Sequence, residues 1–185
     1  MLNRKDTYFK KAKSEGYFAR SAYKLIEINK KYKLVKKDDV VLDLGTSPGS
    51  WVQVCLELKV RRVLGVDLEH SKVDHENFEF INDGIENLKV DEIGKFDVVL
   101  SDMAPNTSGV MDAEKTIDLT RDAFNVAKKV LKSKGNFLAK TFQGTGFDEL
   151  TREVRKSFEF FKIIKPKASR KESREMYLLG MGFKK

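Results

Sequence analysis

A chain of 185 residues, 41% of them hydrophobic, suffices for one domain around a single core and leaves little room for a second. No apolar run reaches the roughly 18–20 residues of a membrane-spanning helix, and the polar start Met1-Leu2-Asn3-Arg4-Lys5-Asp6 lacks the apolar stretch of a secretory leader, so a cytoplasmic protein is expected. Cys55 is the single cysteine, which excludes an internal disulfide, and beside it only His70 and His75 are present, so no metal site is expected.

The net charge of +8 is unevenly spread. Residues 1–37 carry 12 Lys/Arg against 3 Asp/Glu, a net of +9, and residues 162–185 carry 8 against 2, a net of +6. The centre, 38–161, carries 16 against 23, a net of −7. Two basic ends that met in space would form a face suited to a phosphate backbone. The aromatic residues Tyr8, Phe9, Tyr17, Phe18 and Tyr23 are interleaved with that charge. Such side chains either stack on exposed bases or pack a helix onto the core.

In chain order, residues 1–37 read as a basic N-terminal extension with one helix near Ser21–Tyr32. The first strand is Val40–Leu44, and Ser50–Leu58, following Pro48-Gly49, is a short helix. Strands follow at Arg62–Leu68, Phe78–Asn82 and Phe96–Met103. Residues 114–132 place Ile117, Phe124, Ala127 and Leu131 on one helical face, with Gly135 as a stop. A strand at Asn136–Phe142 and an amphipathic helix at Phe147–Phe158 come next, and Phe160–Ile164 and Met176–Met181 close the chain as strands. Strands alternating with helices predict a three-layer α/β architecture around a parallel sheet. The last two strands have only Pro166 to Arg174 between them, too little for a helical crossover, so they are expected to pair antiparallel.

In an open parallel sheet, ligands bind beyond the carboxyl ends of the strands. The first strand ends in Asp43-Leu44-Gly45-Thr46-Ser47-Pro48-Gly49-Ser50-Trp51. Glycines there let the backbone approach a ligand, and the next helix offers free N–H groups. Gly45 and Gly49 lie four apart with no third glycine and no Gly-Lys-Ser/Thr follows, so neither the dinucleotide fingerprint nor a P-loop is present. Asp67 ends the second strand, placed to accept the two hydroxyls of a ribose, and Asp83 ends the third, placed to accept the exocyclic amine of an adenine. Together they fit an adenosine ligand that needs no phosphate site.

The loop Asp43–Trp51 resembles the cofactor loop of the FtsJ/RrmJ family of ribose 2′-O-methyltransferases, DLGxxPGGW, with Ser50 in place of its second glycine. Further matches follow in the family's order: Arg20-Ser21-Ala22-Tyr23-Lys24-Leu25, Ser101-Asp102-Met103-Ala104-Pro105-Asn106, Lys140 with Phe142-Gln143-Gly144, and Ser173-Arg174-Glu175. The resemblance spans about Tyr17 to Phe183. It implies a single-domain, Rossmann-like methyltransferase fold: a mainly parallel seven-stranded sheet with the last strand antiparallel and helices on both faces. It also implies S-adenosylmethionine as cofactor, held by Asp43, Gly45, Pro48, Gly49, the backbone at Trp51, Asp67, Asp83 and Asp102. The family's Lys-Asp-Lys-Glu catalytic tetrad maps to Lys24, Asp102, Lys140 and Glu175.

A ribose hydroxyl is a poor nucleophile, so such an enzyme must align the oxygen with the methyl and assist loss of its proton. Lys140 either acts as the base, if nearby positive charge favours its neutral form, or stays charged to orient the hydroxyl and stabilise the developing oxyanion. Trp51 also reads as a packing anchor and Cys55 as a small buried hydrophobe. The implied substrate is a ribose, favoured as a uridine, in large-subunit 23S-type ribosomal RNA, free or in an assembled subunit, acted on by a monomer. A tRNA methyltransferase and a non-catalytic RNA-binding assembly factor are the alternatives.

Overall fold

The computed structural model describes residues 4–105, 113–169 and 173–185. Seven strands form one sheet in the order β3-β2-β1-β4-β5-β7-β6: β1 (Val40–Leu44), β2 (Arg62–Asp67), β3 (Phe78–Asn82), β4 (Phe96–Ser101), β5 (Leu131–Phe142), β6 (Phe158–Ile164) and β7 (Glu175–Phe183). The pairs β3–β2, β2–β1, β1–β4 and β4–β5 are parallel, and β7 runs antiparallel to both β5 and β6. This is the expected architecture, including the reversed last strand. From β1 the chain builds outward to β3, then returns to place β4 on the other side of β1. The β1/β4 junction is therefore where the order reverses, and a crevice opens at such a point.

Alternation along the strands sorts side chains to two faces. On one face Leu42, Leu44, Val99, Phe137 and Leu178 meet α4 (Ala113–Val130) and α5 (Phe147–Ser157). On the other, Val41, Val63, Val98, Leu138 and Tyr177 meet α2 (Ala22–Tyr32) and α3 (Ser50–Glu57). Both helical layers bury apolar stripes: Ile117, Phe124 and Ala127 on α4, Leu25 and Ile28 on α2. Under α4 and α5 lies an aromatic group in which Phe137 stacks on Phe158 at 6.1 Å and Phe124 meets Phe137 at 5.5 Å. Gly180 faces that group, since a Cβ there would come within 2.4 Å of the Phe158 ring.

Three differences from the sequence reading have physical reasons. A helix α1 (Arg4–Ser14) precedes α2, in a stretch too polar to show a broad apolar stripe, with Ala12 alone buried among residues 7–14. Residues 22–35 are part of the core and not an appended extension, because Leu25, Ile28 and Leu34 are essentially inaccessible to solvent. Strand β5 starts at Leu131, directly after α4, and pairs Leu131 with Phe96 before its register shifts to Asn136 opposite Val98. Lys134 at φ 66° turns the chain within that irregularity, which hides the strand's first half from a period-two reading. Of the sequence motifs, Asn106 lies outside the described residues.

Truncating the most central aromatic should be costly. Phe137→Ala is expected to lower unfolding free energy by about 3–5 kcal/mol, measured by urea denaturation with an unchanged m-value.

Candidate active site

The carboxyl ends of β1, β2, β3 and β4 enclose a cleft of about 260 Å³. Gly45, Ser47, Asp67, Asp83, Asp102 and Met103 are among its walls, with Leu44, Val66, Leu68, Ile85 and Leu119 supplying apolar surface. Five carboxylates line it, those of Asp67, Glu69, Asp83, Glu86 and Asp102, and among the described residues no lysine or arginine does. An acidic, partly apolar cleft suits a cationic ligand and disfavours a phosphate.

The loop after β1 is held close against the one after β4. Gly45 has φ +79°, and a Cβ on it would lie 2.8 Å from the Met103 main chain, so only glycine fits. Asp67 accepts hydrogen bonds from the Ser47 and Glu69 N–H groups at 2.8 and 2.9 Å, which ties the β1 loop to the end of β2. Asp83 accepts from Asn87 Nδ2 and the Gly84 N–H, and these bonds hold its carboxyl below the usual range. Both acids border the cleft while oriented by backbone donors. Pro48, Gly49 and Trp51 do not line it. The Trp51 side chain is 3% exposed, donates from Nε1 to the Ser21 carbonyl at 2.9 Å, and lies 6.0 Å from the Tyr177 ring, so it clamps α3 to the start of α2.

At one end of the cleft the four residues of the Lys-Asp-Lys-Glu set converge. Lys140 Nζ donates to the Asp102 main-chain carbonyl at 2.5 Å and lies 3.2 Å from its Oδ1. Lys24 Nζ donates to Glu175 Oε2 at 2.9 Å. The register of β5 against β7 explains the meeting: Lys140 is paired with Tyr177 and Phe142 with Glu175, so Lys140, Tyr177 and Glu175 project from one face. That face is covered by α2, which brings Lys24 across it. Tyr177, absent from the sequence reading, donates its hydroxyl to Asp102 Oδ1 at 2.9 Å, and its ring lies 5.5 Å from Lys24 Nζ. Its position two residues beyond Glu175, on the same face of a strand, was the available signal.

The electrostatics follow from these contacts. Burial works to raise the Asp102 carboxyl, but Lys140, then Lys24 and the Tyr177 hydroxyl, outweigh it and hold Asp102 below its ordinary value. Tyr177 is pushed well up by burial and by Asp102 and Glu175. Asp43 differs from both. It is 1% exposed, neither carboxylate oxygen has a hydrogen-bond partner among the described residues, and it does not itself line the cleft. Burial, then the charge of Asp102, push it up to about 8.

The motifs that converge here agree with an independent comparison. The model of the family of FtsJ-like methyltransferases matches residues 17–183. The chain belongs to the FtsJ-like methyltransferase family. Ribosomal RNA large subunit methyltransferase E of Archaeoglobus fulgidus is 45% identical over 192 residues, covering 100% of each chain. The protein of the same name from Methanococcoides burtonii is 44% identical over 187 residues, covering 96% of this chain and 70% of its own. A crystal structure of a Plasmodium falciparum ribosomal RNA methyltransferase superposes with a TM-score of 0.77 at 31% identity, covering 90% of this chain and 98% of that one. A member of this family requires a methyl donor, and the acidic cleft with its oriented carboxylates and the orphaned Asp43 beside it fit a cationic one.

The sign of the Asp43 effect on stability is testable. Its folded value lies above its unfolded value of about 4, so the contribution is complete below pH 4 and is lost as pH rises through about 8. Asp43→Asn, which cannot ionise, should therefore gain in melting temperature relative to the parent by at least ~4 °C more at pH 8 than at pH 5 in thermal unfolding scans.

Proposed function

We propose that this protein transfers a methyl group from S-adenosylmethionine to a ribose 2′-hydroxyl of large-subunit ribosomal RNA, favouring a uridine. The observation that carries this reading is the Lys140–Asp102 pair at the edge of an acidic cleft, with the Lys24–Glu175 pair beside it. S-adenosylmethionine, when bound, supplies an electrophilic methyl on a positively charged sulfur. Asp67 would hold the ribose hydroxyls of this ligand, Asp83 its adenine, and the loop Gly45–Gly49 would receive its amino-acid end.

The residues of the chain then have separable tasks. Two of the three Lys140 N–H donors are engaged by Asp102, through its carbonyl and its carboxylate, which fixes the ammonium and leaves one donor for the attacking oxygen. In that position Lys140 orients the hydroxyl and stabilises negative charge as it develops. Lys24, tied to Glu175, offers its remaining donors to the ribose. Tyr177 donates its hydroxyl to the Asp102 carboxylate, keeping the ion pair in one geometry.

RNA as the substrate is supported by the way the two basic ends meet. Ala12 on α1, Tyr23 on α2 and Ala168 in the 166–169 turn form one apolar cluster, and Glu27 accepts from the Lys167 and Ala168 N–H groups. The exposed Lys13, Lys165 and Lys167 thus belong to one region of the surface, on the side of the sheet that carries Lys24. Phe9 and Phe18, 59% and 41% exposed, are available there for stacking on unpaired bases.

Labelled methyl from S-adenosylmethionine, offered with ribosomal subunits, free ribosomal RNA and tRNA in parallel, is expected to appear as a 2′-O-methylated nucleotide in the large-subunit RNA. Label in tRNA alone would reassign the substrate, and no label would overturn the reading. Lys140→Met and Asp102→Asn should each cut single-turnover transfer by roughly 100-fold or more while leaving the far-UV spectrum unchanged. RNA affinity should fall by at least ~100-fold between 50 and 200 mM salt in a filter-binding titration.

A further inference from the structure

Asp43 has no place in the tasks above, although it lies at the centre of the molecule. It sits on β1 immediately before Leu44 and Gly45, both of which line the cleft, and beside β4, whose end supplies Asp102. Among the described residues neither of its oxygens has a hydrogen-bond partner, the Thr46 hydroxyl beside it donating at 2.7 Å to the Asp43 main-chain carbonyl, and the lysines of the reaction site are committed elsewhere, Lys140 to Asp102 and Lys24 to Glu175. A carboxylate with neither a donor nor a cation is expensive to keep ionised in the interior. The charges facing it are of its own sign: Asp102 at the end of β4 and Asp67 at the end of β2. From α3 it faces the buried, neutral Cys55 thiol, and from its own loop the Thr46 hydroxyl.

These same two acids, Asp67 and Asp102, are walls of the cleft. A cation placed in the cleft therefore lies next to the charges that oppose Asp43, and cancels part of their effect. S-adenosylmethionine carries a net positive charge, through its sulfonium, whereas the demethylated product has a neutral sulfur. We propose that Asp43 is a charge-responsive positioning residue of the donor site, neutral while the cleft is empty or holds product and ionised when the donor is bound, so that donor binding releases a proton. Asp43 thereby favours exchange of spent product for fresh donor. Its ordinary value, pushed up to about 8 by burial and Asp102, places the change near neutral pH. This inference rests on the proposed identity of the donor.

Calorimetric titration at pH 7 in phosphate and in Tris, buffers of very different ionisation enthalpy, reads the proton directly. S-adenosylmethionine is expected to release roughly half a proton or more, and S-adenosylhomocysteine much less. From pH 6 to pH 8 the donor should bind roughly fivefold more tightly while the product changes by less than about twofold. Asp43→Asn should abolish both the proton release and the difference between the two pH profiles, an effect that a purely structural role would not produce. If that variant fails to fold, carbon-13 spectra of aspartate-labelled parent protein serve instead: one carboxyl titrating near neutral pH should shift to its ionised position on adding donor. Donor binding without proton exchange, release that persists in Asp43→Asn, or a carboxyl resonance unmoved by donor would overturn the role of Asp43. Failure of both ligands to bind would instead overturn the donor assignment on which it rests.

Discussion

The contact between Lys140 and Asp102 governs the arrangement around it. Both side chains are largely withdrawn from water, at 7% and 19% exposure, and removing two charges from solvent is costly unless each is fully engaged. The carbonyl and carboxylate of Asp102 and the hydroxyl of Tyr177 meet that need. Lys140 stands on β5, Tyr177 on β7 and Asp102 immediately after β4, so the contact holds only if these three strands keep their register. The reversed strand β7 is thus more than an edge: it brings Tyr177 and Glu175 to the carboxyl end of a parallel sheet, where the next parallel strand would have started from the other end. Helix α2 completes the set with Lys24, and Trp51 secures that helix by its bond to Ser21.

Charge is separated across the molecule in a way that matches two ligands of opposite sign. The cleft between β1 and β4 is lined by carboxylates, and the surface formed by α1, α2 and the turn before β7 is rich in lysine. The tetrad lies where these two regions adjoin. An anionic polymer held on the basic side and a cationic small molecule held in the acidic cleft would meet at Lys140.

Much of this was legible in the order of residues. All seven strands, and the helices α2, α3, α4 and α5, follow from apolar periodicity and from the turn residues between them, and the antiparallel end follows from the short link between β6 and β7. The glycine loop after β1 and the acids at the ends of β2 and β3 pointed to a cleft, and Gly45, Asp67, Asp83 and Asp102 do line it. Helix α1 and the first half of β5 were not legible, since one is stabilised by a few contacts to α2 and the other is broken by an irregular register. Pro48, Gly49 and Trp51 share the loop motif but are not among the residues lining the cleft, because a motif records which residues recur together and not where each side chain lies.

The sequence by itself determined the class of fold and the family, because local periodicity and motif spacing are properties of the chain, and through the family resemblance it pointed to the four polar residues Lys24, Asp102, Lys140 and Glu175. Only the tertiary structure decided how those four divide into two ion pairs, that Tyr177 joins them, and that the Asp43 carboxylate has no hydrogen-bond partner among the described residues. The reason is physical: pairing and desolvation depend on distances between residues as far apart in the chain as Lys24 and Glu175, and those distances exist only once the sheet is assembled.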